Sequence, residues 1–396
     1  MRGFKVAMVA ACPFPANHGS PASIREMSMA LADLGHEIHI VTYPIQQEIP
    51  VDGVEIHRVA KLWGNNKVMV GPSYQRPFYD FLLVHKLYQV IRREGIEIIH
   101  AHNYEGAIAG AIAKKLTGKP LLYNAVNTMS DELPAYGFIR PRSLAIKVAD
   151  RLDQWVPRAG DHLTVVSHEL LSFLCQRGIP PERITVVPAG VNPEMFEGND
   201  PMLMRHRHGL GSKPVVIYTG TLDAFQRIDY LLKAMTVVVN VIPDARLLVV
   251  GNIVEKAKLK VCLDLAQELG IASEVLFTDA RPLAELPDYL AAADVAVLPR
   301  PSCPGHPVKL LNYMAAGRAI VAFQGAAKGV RHMHSALVIP DHDWEGFGQG
   351  ILMLLKDLPL AKALGENARN SIVGNFDWPS LAKRISAIYT ALISRT

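Results

Sequence analysis

The sequence predicts an α/β protein of two parallel-sheet domains, and three observations point there. Short apolar runs alternate with helix-period stretches along the chain, the rhythm of repeated strand–helix–strand units. The 396 residues exceed what one core usually organises, at about 150 residues per domain. Pro188, Gly190, Pro193, Gly198 and Pro201 crowd together near the middle, where a linker belongs.

Taken in order, the runs Phe4 to Ala11, Ile38 to Thr42, Ile96 to Ala101, Pro120 to Ala125 and Leu163 to Ser167 read as strands of a first sheet. A second series runs through Pro214 to Thr219, Arg246 to Val250, Val275 to Thr278, Asp294 to Leu298 and Ala319 to Phe323. The expected domains are 1–195, then 196–376. A last segment, 377–396, carries apolar residues at 381, 385, 388 and 392, a helical stripe expected to pack back on the first domain. In open α/β sheets ligands bind beyond the carboxyl ends of strands. The loops that follow each strand, facing a central cleft, are therefore where chemistry is sought.

Composition narrows the function class. The chain carries 41 Lys plus Arg against 37 Asp plus Glu, a net charge of +4. The charge is spread evenly between the halves, so no basic arm for nucleic acid is expected. The four cysteines, Cys12, Cys175, Cys262 and Cys303, have no paired spacing, which fits a reducing compartment and gives a cytoplasmic expectation. The first apolar run is too short for a signal peptide, and nowhere do 18 apolar residues run together.

Several post-strand segments carry motifs: Phe14-Pro-Ala-Asn-His-Gly-Ser20, Gly35-His36-Glu37-Ile38, His100-Ala-His102-Asn103, Val187-Pro-Ala-Gly-Val-Asn192, Tyr218-Thr-Gly-Thr-Leu222 and Pro307-Val-Lys-Leu-Leu-Asn-Tyr-Met-Ala-Ala-Gly317. In this order and spacing they resemble the family-four glycosyltransferases over nearly the whole chain. The resemblance implies the GT-B fold and transfer of a sugar from a nucleoside-diphosphate donor to a hydroxyl acceptor with retention of configuration. It also implies a role in cell-envelope glycan biosynthesis. UDP-sugars are the commonest donors in similar enzymes, with GDP-mannose next. The donor is a substrate, and no cofactor is implied. The acceptor, whether lipid, glycan or small molecule, stays open.

Sugar transfer leaves negative charge on the departing diphosphate, so cations and N–H donors must be aimed at it. Gly19, between a strand and a helix, and the backbone of Gly305 and His306 ahead of a second helix, are expected to offer N–H groups to the donor. The resemblance puts an Arg after Gly220, but Thr221 stands there, while Arg227 occupies the place of the usual Lys. Two usual glutamates are replaced by Pro304 and Asn312; Asn312 can still hydrogen-bond a ribose. Lys309, in the first turn of the predicted helix Val308 to Ala316, is expected to supply the missing charge. The second histidine of the doublet, His102, carries the family's reaction-centre role and is expected to emerge at the cleft, with His100 in a packing layer. Asn103, Asp131 and Glu132 are the acceptor-binding candidates.

No metal site is expected. Asp341-His342-Asp343 precedes a helical run in which Asp343 is an N-cap, and His206/His208 and His332/His334 are i, i+2 pairs that point apart on a helix. Between Tyr136 and Gly160, Leu144, Val148, Leu152 and Trp155 recur at helical spacing beside Arg140, Arg142, Lys147, Arg151 and Arg158. Either this helix lies against an anionic membrane at its inner face, or it packs on the first domain with a solvated basic side. Two other readings remain: a nucleotide-sugar epimerase of the same fold, and a degenerate sugar-nucleotide-binding module.

Overall fold

The computed structural model describes residues 2–16, 19–44, 51–61, 76–136, 139–251, 254–303 and 307–395. The chain divides into two compact units, Met1–Gly190 with Trp378–Thr396, and Val191–Asp377.

The first unit holds a seven-stranded parallel sheet of β1 (Lys5–Ala10), β2 (Glu37–Thr42), β3 (Val54–Arg58), β4 (Ile98–His102), β5 (Leu121–Ala125), β6 (His162–Val165) and β7 (Ile184–Val186), in the order β3-β2-β1-β4-β5-β6-β7. Its helices are α1 (Gly19–Asp33), α2 (Arg76–Glu94), α3 (Asn103–Thr117), α4 (Met129–Tyr136), α5 (Arg142–Ala159) and α6 (His168–Gln176). Strands buried on both faces read as unbroken apolar runs, which is why Val6 to Ala10 is wholly buried. One face packs Ala7, Val9 and Val41 under α2 and α3. The other packs Val6, Met8, Ile38 and Ile40 against α1 and the C-terminal helix Trp378–Ile393.

That helix buries Leu381, Ile385, Tyr389 and Leu392 in the first unit. Three polar contacts fix its register. Tyr389 Oη lies 2.7 Å from His100 Nδ1, Ser386 Oγ lies 2.9 Å from His36 Nε2, and the Trp378 indole donates to Glu26 at 2.7 Å. Gly190 lies directly beneath Trp378, where a Cβ would come within 2.5 Å of the indole.

The second unit holds a six-stranded parallel sheet of β8 (Val215–Thr219), β9 (Arg246–Val250), β10 (Val275–Phe277), β11 (Val295–Leu298), β12 (Ala319–Phe323) and β13 (Leu337–Ile339), in the order β10-β9-β8-β11-β12-β13. Its helices are α7 (Pro201–Arg207), α8 (Ile228–Val239), α9 (Lys256–Glu268), α10 (Leu286–Ala291), α11 (Val308–Ala315), α12 (Trp344–Lys356) and α13 (Leu358–Asn370). Asp343 caps α12, its carboxylate accepting from Gly346 N–H at 2.8 Å. In both sheets the strand order reverses beside the first strand, between β1 and β4 and between β8 and β11, so each has a switch point where post-strand loops diverge.

The structure corrects two sequence expectations. Period-two alternation places residues two apart on the same face, so His100 and His102 are both buried, with ring centroids 4.5 Å apart. In α5 the inward face is Ala145, Ala149, Asp153 and Val156, while Leu144 and Trp155 of the expected stripe face solvent. Asp153, on that inward face, is fully buried.

Candidate active site

In the second unit the loops after β8 and β11 flank the switch point. Lys309, the second residue of α11, extends under Gly220, the first residue after β8. Its Nζ donates to Tyr218 Oη at 2.9 Å and to Gln226 Oε1 at 3.2 Å, and lies 4.2 Å from the centroid of the Tyr218 ring. Gly220 has φ +126°, and a Cβ there would come within 2.6 Å of Lys309 Nζ. Only glycine combines that backbone with that approach. Burial of the ammonium lowers the Lys309 pKa to about 7, and the nearby Arg300 guanidinium adds to the effect. Lys309 is thus a cation close to its titration point, one that an incoming anion would fully charge.

Beside it a cavity of about 130 Å³ is lined by Gly220, Gly251, Arg281, Tyr289, Lys309 and Asn312, among others. Arg281 donates its backbone N–H to the Gly251 carbonyl at 2.8 Å, while its buried side-chain Nε has no partner among the described residues. Asn312 stands one helical turn beyond Lys309, half-buried on the same side. Thr221 is committed locally, its hydroxyl donating to Asp223 at 2.6 Å, and Asp223 is paired with Lys258 at 2.6 Å.

Arg227 takes a left-handed backbone, φ +56°, just before α8. Its guanidinium grips Asp229 through two bonds of 2.9 and 2.8 Å and lies 3.4 Å over the Tyr230 ring. It sits next in sequence to Gln226, the partner of Lys309, but its own contacts turn toward α8. Gly305 and His306 lie outside the described residues, so their backbone positions are not part of this geometry.

The first unit gathers a second polar group at the carboxyl ends of its strands. His102 ends β4. The Thr164 hydroxyl donates to Asn124 Oδ1 at 3.0 Å, which orients the amide so that Asn124 Nδ2 donates to His102 Nδ1 at 3.1 Å. The network thereby assigns the proton of the neutral ring to Nε2, which has no partner among the described residues. Burial lowers the His102 pKa to about 3, so the ring is a neutral donor throughout the physiological range. Asn103 follows with φ +61°, a strained turn into α3.

Asp131 and Glu132 occupy the first turn of α4, after β5. Asp131 is exposed and accepts from Thr128 Oγ1 at 2.7 Å. Glu132 is half-buried and hydrogen-bonded by Asn127; burial raises its pKa despite that bond. The turn is held from below by Asp153, whose carboxylate accepts from the Met129 and Ser130 N–H groups at 2.8 and 2.9 Å and from the Tyr104 hydroxyl. A buried carboxylate at a helix N-terminus is well placed electrostatically. Gly19, with φ +57°, is the exposed first residue of α1 after β1.

Sequence reasoning missed the Arg76–Glu105 pair, 3.0 Å apart at the starts of α2 and α3, whose two charges act in opposite directions on Glu132. It also missed Arg281 and Arg300. A cation in the loop after a strand was the available signal, Arg281 after β10 and Arg300 after β11.

Two family models match the chain: Glycosyltransferase Family 4 over residues 18–195 and Glycosyl transferases group 1 over residues 213–357. The chain is 27% identical to a D-inositol 3-phosphate glycosyltransferase of Thermobispora bispora, across 95% of this chain and 90% of that protein. It is 26% identical to an N-acetyl-alpha-D-glucosaminyl L-malate synthase of Bacillus anthracis, across 95% and 94%. Among solved structures, sucrose-phosphate synthase from Thermosynechococcus elongatus superposes with a TM-score of 0.81 at 20% identity over 100% of both chains. Anabaena HepE in complex with UDP and glucose gives 0.74 at 17% identity, over 98% of this chain and 100% of that one. The two Rossmann-like sheets are those of the GT-B fold.

Proposed function

This chain belongs to the family-four glycosyltransferases, and from that premise we propose that it takes its sugar from a UDP-linked donor and transfers it with retention of configuration. The observation that carries the reading is the Lys309 ammonium, held under Gly220 at the mouth of a cavity large enough for part of a nucleoside. Its neighbours Asn312 and Arg281 supply hydrogen-bond donors to a ribose and base. HepE, similar in fold, was solved with UDP and glucose.

As the glycosidic bond breaks, charge accumulates on the diphosphate. A Lys at the start of α11 acts twice, through its own charge and through the positive end of the helix. Arg227 serves from the side of α8 by exchanging part of its Asp229 contact for phosphate. In the first unit Asn103, Asp131 and Glu132 orient the acceptor hydroxyl, and His102, buried at the end of β4 with an Nε2 proton that no described residue accepts, is the proposed donor to a sugar oxygen that reaches that strand end. That hydroxyl gives its proton to the departing phosphate oxygen, so no protein nucleophile and no metal are needed. The similar enzymes named for inositol 3-phosphate and L-malate point to a polyol or hydroxy-acid acceptor as the first class to try.

No helix among the described residues is long and apolar enough to cross a membrane. Peripheral contact is favoured by a specific observation: Trp155 is 76% exposed on α5 beside Arg151 and Arg158, and Phe81 on α2 is 74% exposed. Sedimentation with anionic vesicles and not with zwitterionic ones supports it; indifference to lipid charge removes it.

The test of the main reading is a thermal-shift panel of nucleoside diphosphates, followed by NMR of the product's anomeric centre. Stabilisation by UDP and a product with the donor's anomeric configuration are expected. Inversion refutes retention. Rearranged sugar released without any acceptor would instead mark an epimerase, and UDP binding with neither transfer nor hydrolysis a binding module.

A further inference from the structure

On the edge of the first sheet, where β3 pairs with β2, three potential ligands converge. β2 and β3 pair so that His39 lies opposite Glu55 and Val41 opposite His57. Residues two apart share a face, so His39, Glu55 and His57 all stand on the same side of these two strands. His39 Nδ1 is 3.0 Å from His57 Nε2, Glu55 Oε2 is 3.5 Å from His39 Nδ1, and Glu55 Oε1 is 3.5 Å from His57 Nε2. Both imidazoles are buried, and the Glu55 side chain is about half exposed.

We infer that His39, His57 and Glu55 form a structural zinc site that ties edge strand β3 to β2. Four ligands at about 2.0–2.1 Å from a tetrahedral Zn²⁺ are about 3.3 Å from one another. The two ring nitrogens, 3.0 Å apart, already have that size, each has a Glu55 oxygen at 3.5 Å, and with one ligand atom per residue the three lie within 4.8 Å of one another. Two histidines and a carboxylate are a chemically suitable donor set, with water completing the coordination. The outer contacts fit as well. The far nitrogen of His39, Nε2, is 3.0 Å from Glu37 Oε1, and that same oxygen accepts from Lys5 Nζ at 2.8 Å. A carboxylate on the distal nitrogen fixes the ring and leaves the Nδ1 lone pair facing inward, the usual support of a metal-bound histidine. Without a metal the two facing nitrogens must share one proton. With one, both lone pairs are used.

The cluster shares no residue with the proposed transfer machinery and joins two strands at the sheet edge, so it acts on stability. The experiment uses the full chain, stripped with chelator, loaded with Zn²⁺ and desalted. About one zinc per chain by mass spectrometry is expected, with a melting temperature about 5 °C higher at a hundredfold excess over the dissociation constant. Co²⁺ in place of zinc should show the intense visible bands of tetrahedral coordination. Glu55→Gln, at an exposed position that leaves the core intact, should lower affinity at least tenfold, and His57→Gln should abolish stoichiometric binding. Absence of retained metal in the wild type overturns the inference, as does equal binding by Glu55→Gln and His57→Gln. A simple hydrogen-bonded histidine pair would give those results.

Discussion

Raising the pH should loosen the grip on the donor through one side chain. Lys309 titrates at about 7 in the free protein because its ammonium is buried. Only the protonated form attracts a diphosphate. A unit negative charge about 4 Å from Nζ is worth about 4 kcal/mol at an effective dielectric of 20. The side chain is half-buried, so solvent screening reduces this to about 2 kcal/mol, or about 1.5 pH units. The bound lysine then holds its proton about 30-fold more strongly than the free one. By linkage, affinity is highest below pH 7 and falls about twentyfold between pH 6 and pH 9. Binding near pH 7.75 takes up about 0.7 proton. The assay is calorimetry with an intact nucleotide sugar, whose diphosphate does not titrate in this range, in buffers of different ionisation enthalpy. Lys309→Met should bind weakly at every pH and without proton uptake. Flat wild-type affinity from pH 6 to 9, or the same slope in Lys309→Met, would refute the reasoning.

Other expectations follow from the same geometry. Arg227→Ala should lower turnover by about 10², the scale of losing a transition-state charge stabiliser, while leaving the melting temperature nearly unchanged; wild-type rates would remove Arg227 from the site. Gly220→Ala, strained at φ +126° and driven against Nζ, should weaken binding of the nucleotide sugar at least tenfold in the same calorimetric assay. Asp153→Ala strips the partners from two half-buried N–H groups and a buried tyrosine hydroxyl, and should cost about 3 kcal/mol or more in urea unfolding; a loss under 1 kcal/mol would contradict the support described for α4.

Long buried strands were legible because parallel sheets covered on both sides demand unbroken apolar runs. β1, β2, β8 and β12 show this. The strands left out are those where that demand lapses: edge strand β3 reads Val-Glu-Ile-His-Arg, and β7 and β13 have three residues each. Lys309 was legible as a cation at a helix start, yet its weakened basicity comes from burial and from Arg300, neither of which its own stretch of sequence reveals. The buried role of Asp153 was not legible, because a helical pattern cannot say that a second helix, α4, will seat its N-terminus there. His39 and His57 were silent for the same reason: their spacing of 18 residues has meaning only once β2 and β3 are in register.

The last helix has a consequence for biosynthesis. Leu381, Ile385 and Tyr389 complete the hydrophobic interior of the half that is translated first, so that half must wait, with one side of its sheet bare, until residues 378–396 have been made. The half translated second, residues 191 to 377, is contiguous and can reach its native state before its predecessor does. Nascent chains arrested short of residue 378 should therefore engage chaperones through the exposed side of β1 and β2, and expressing residues 1–190 alone should yield aggregate that a supplied 378–396 peptide rescues.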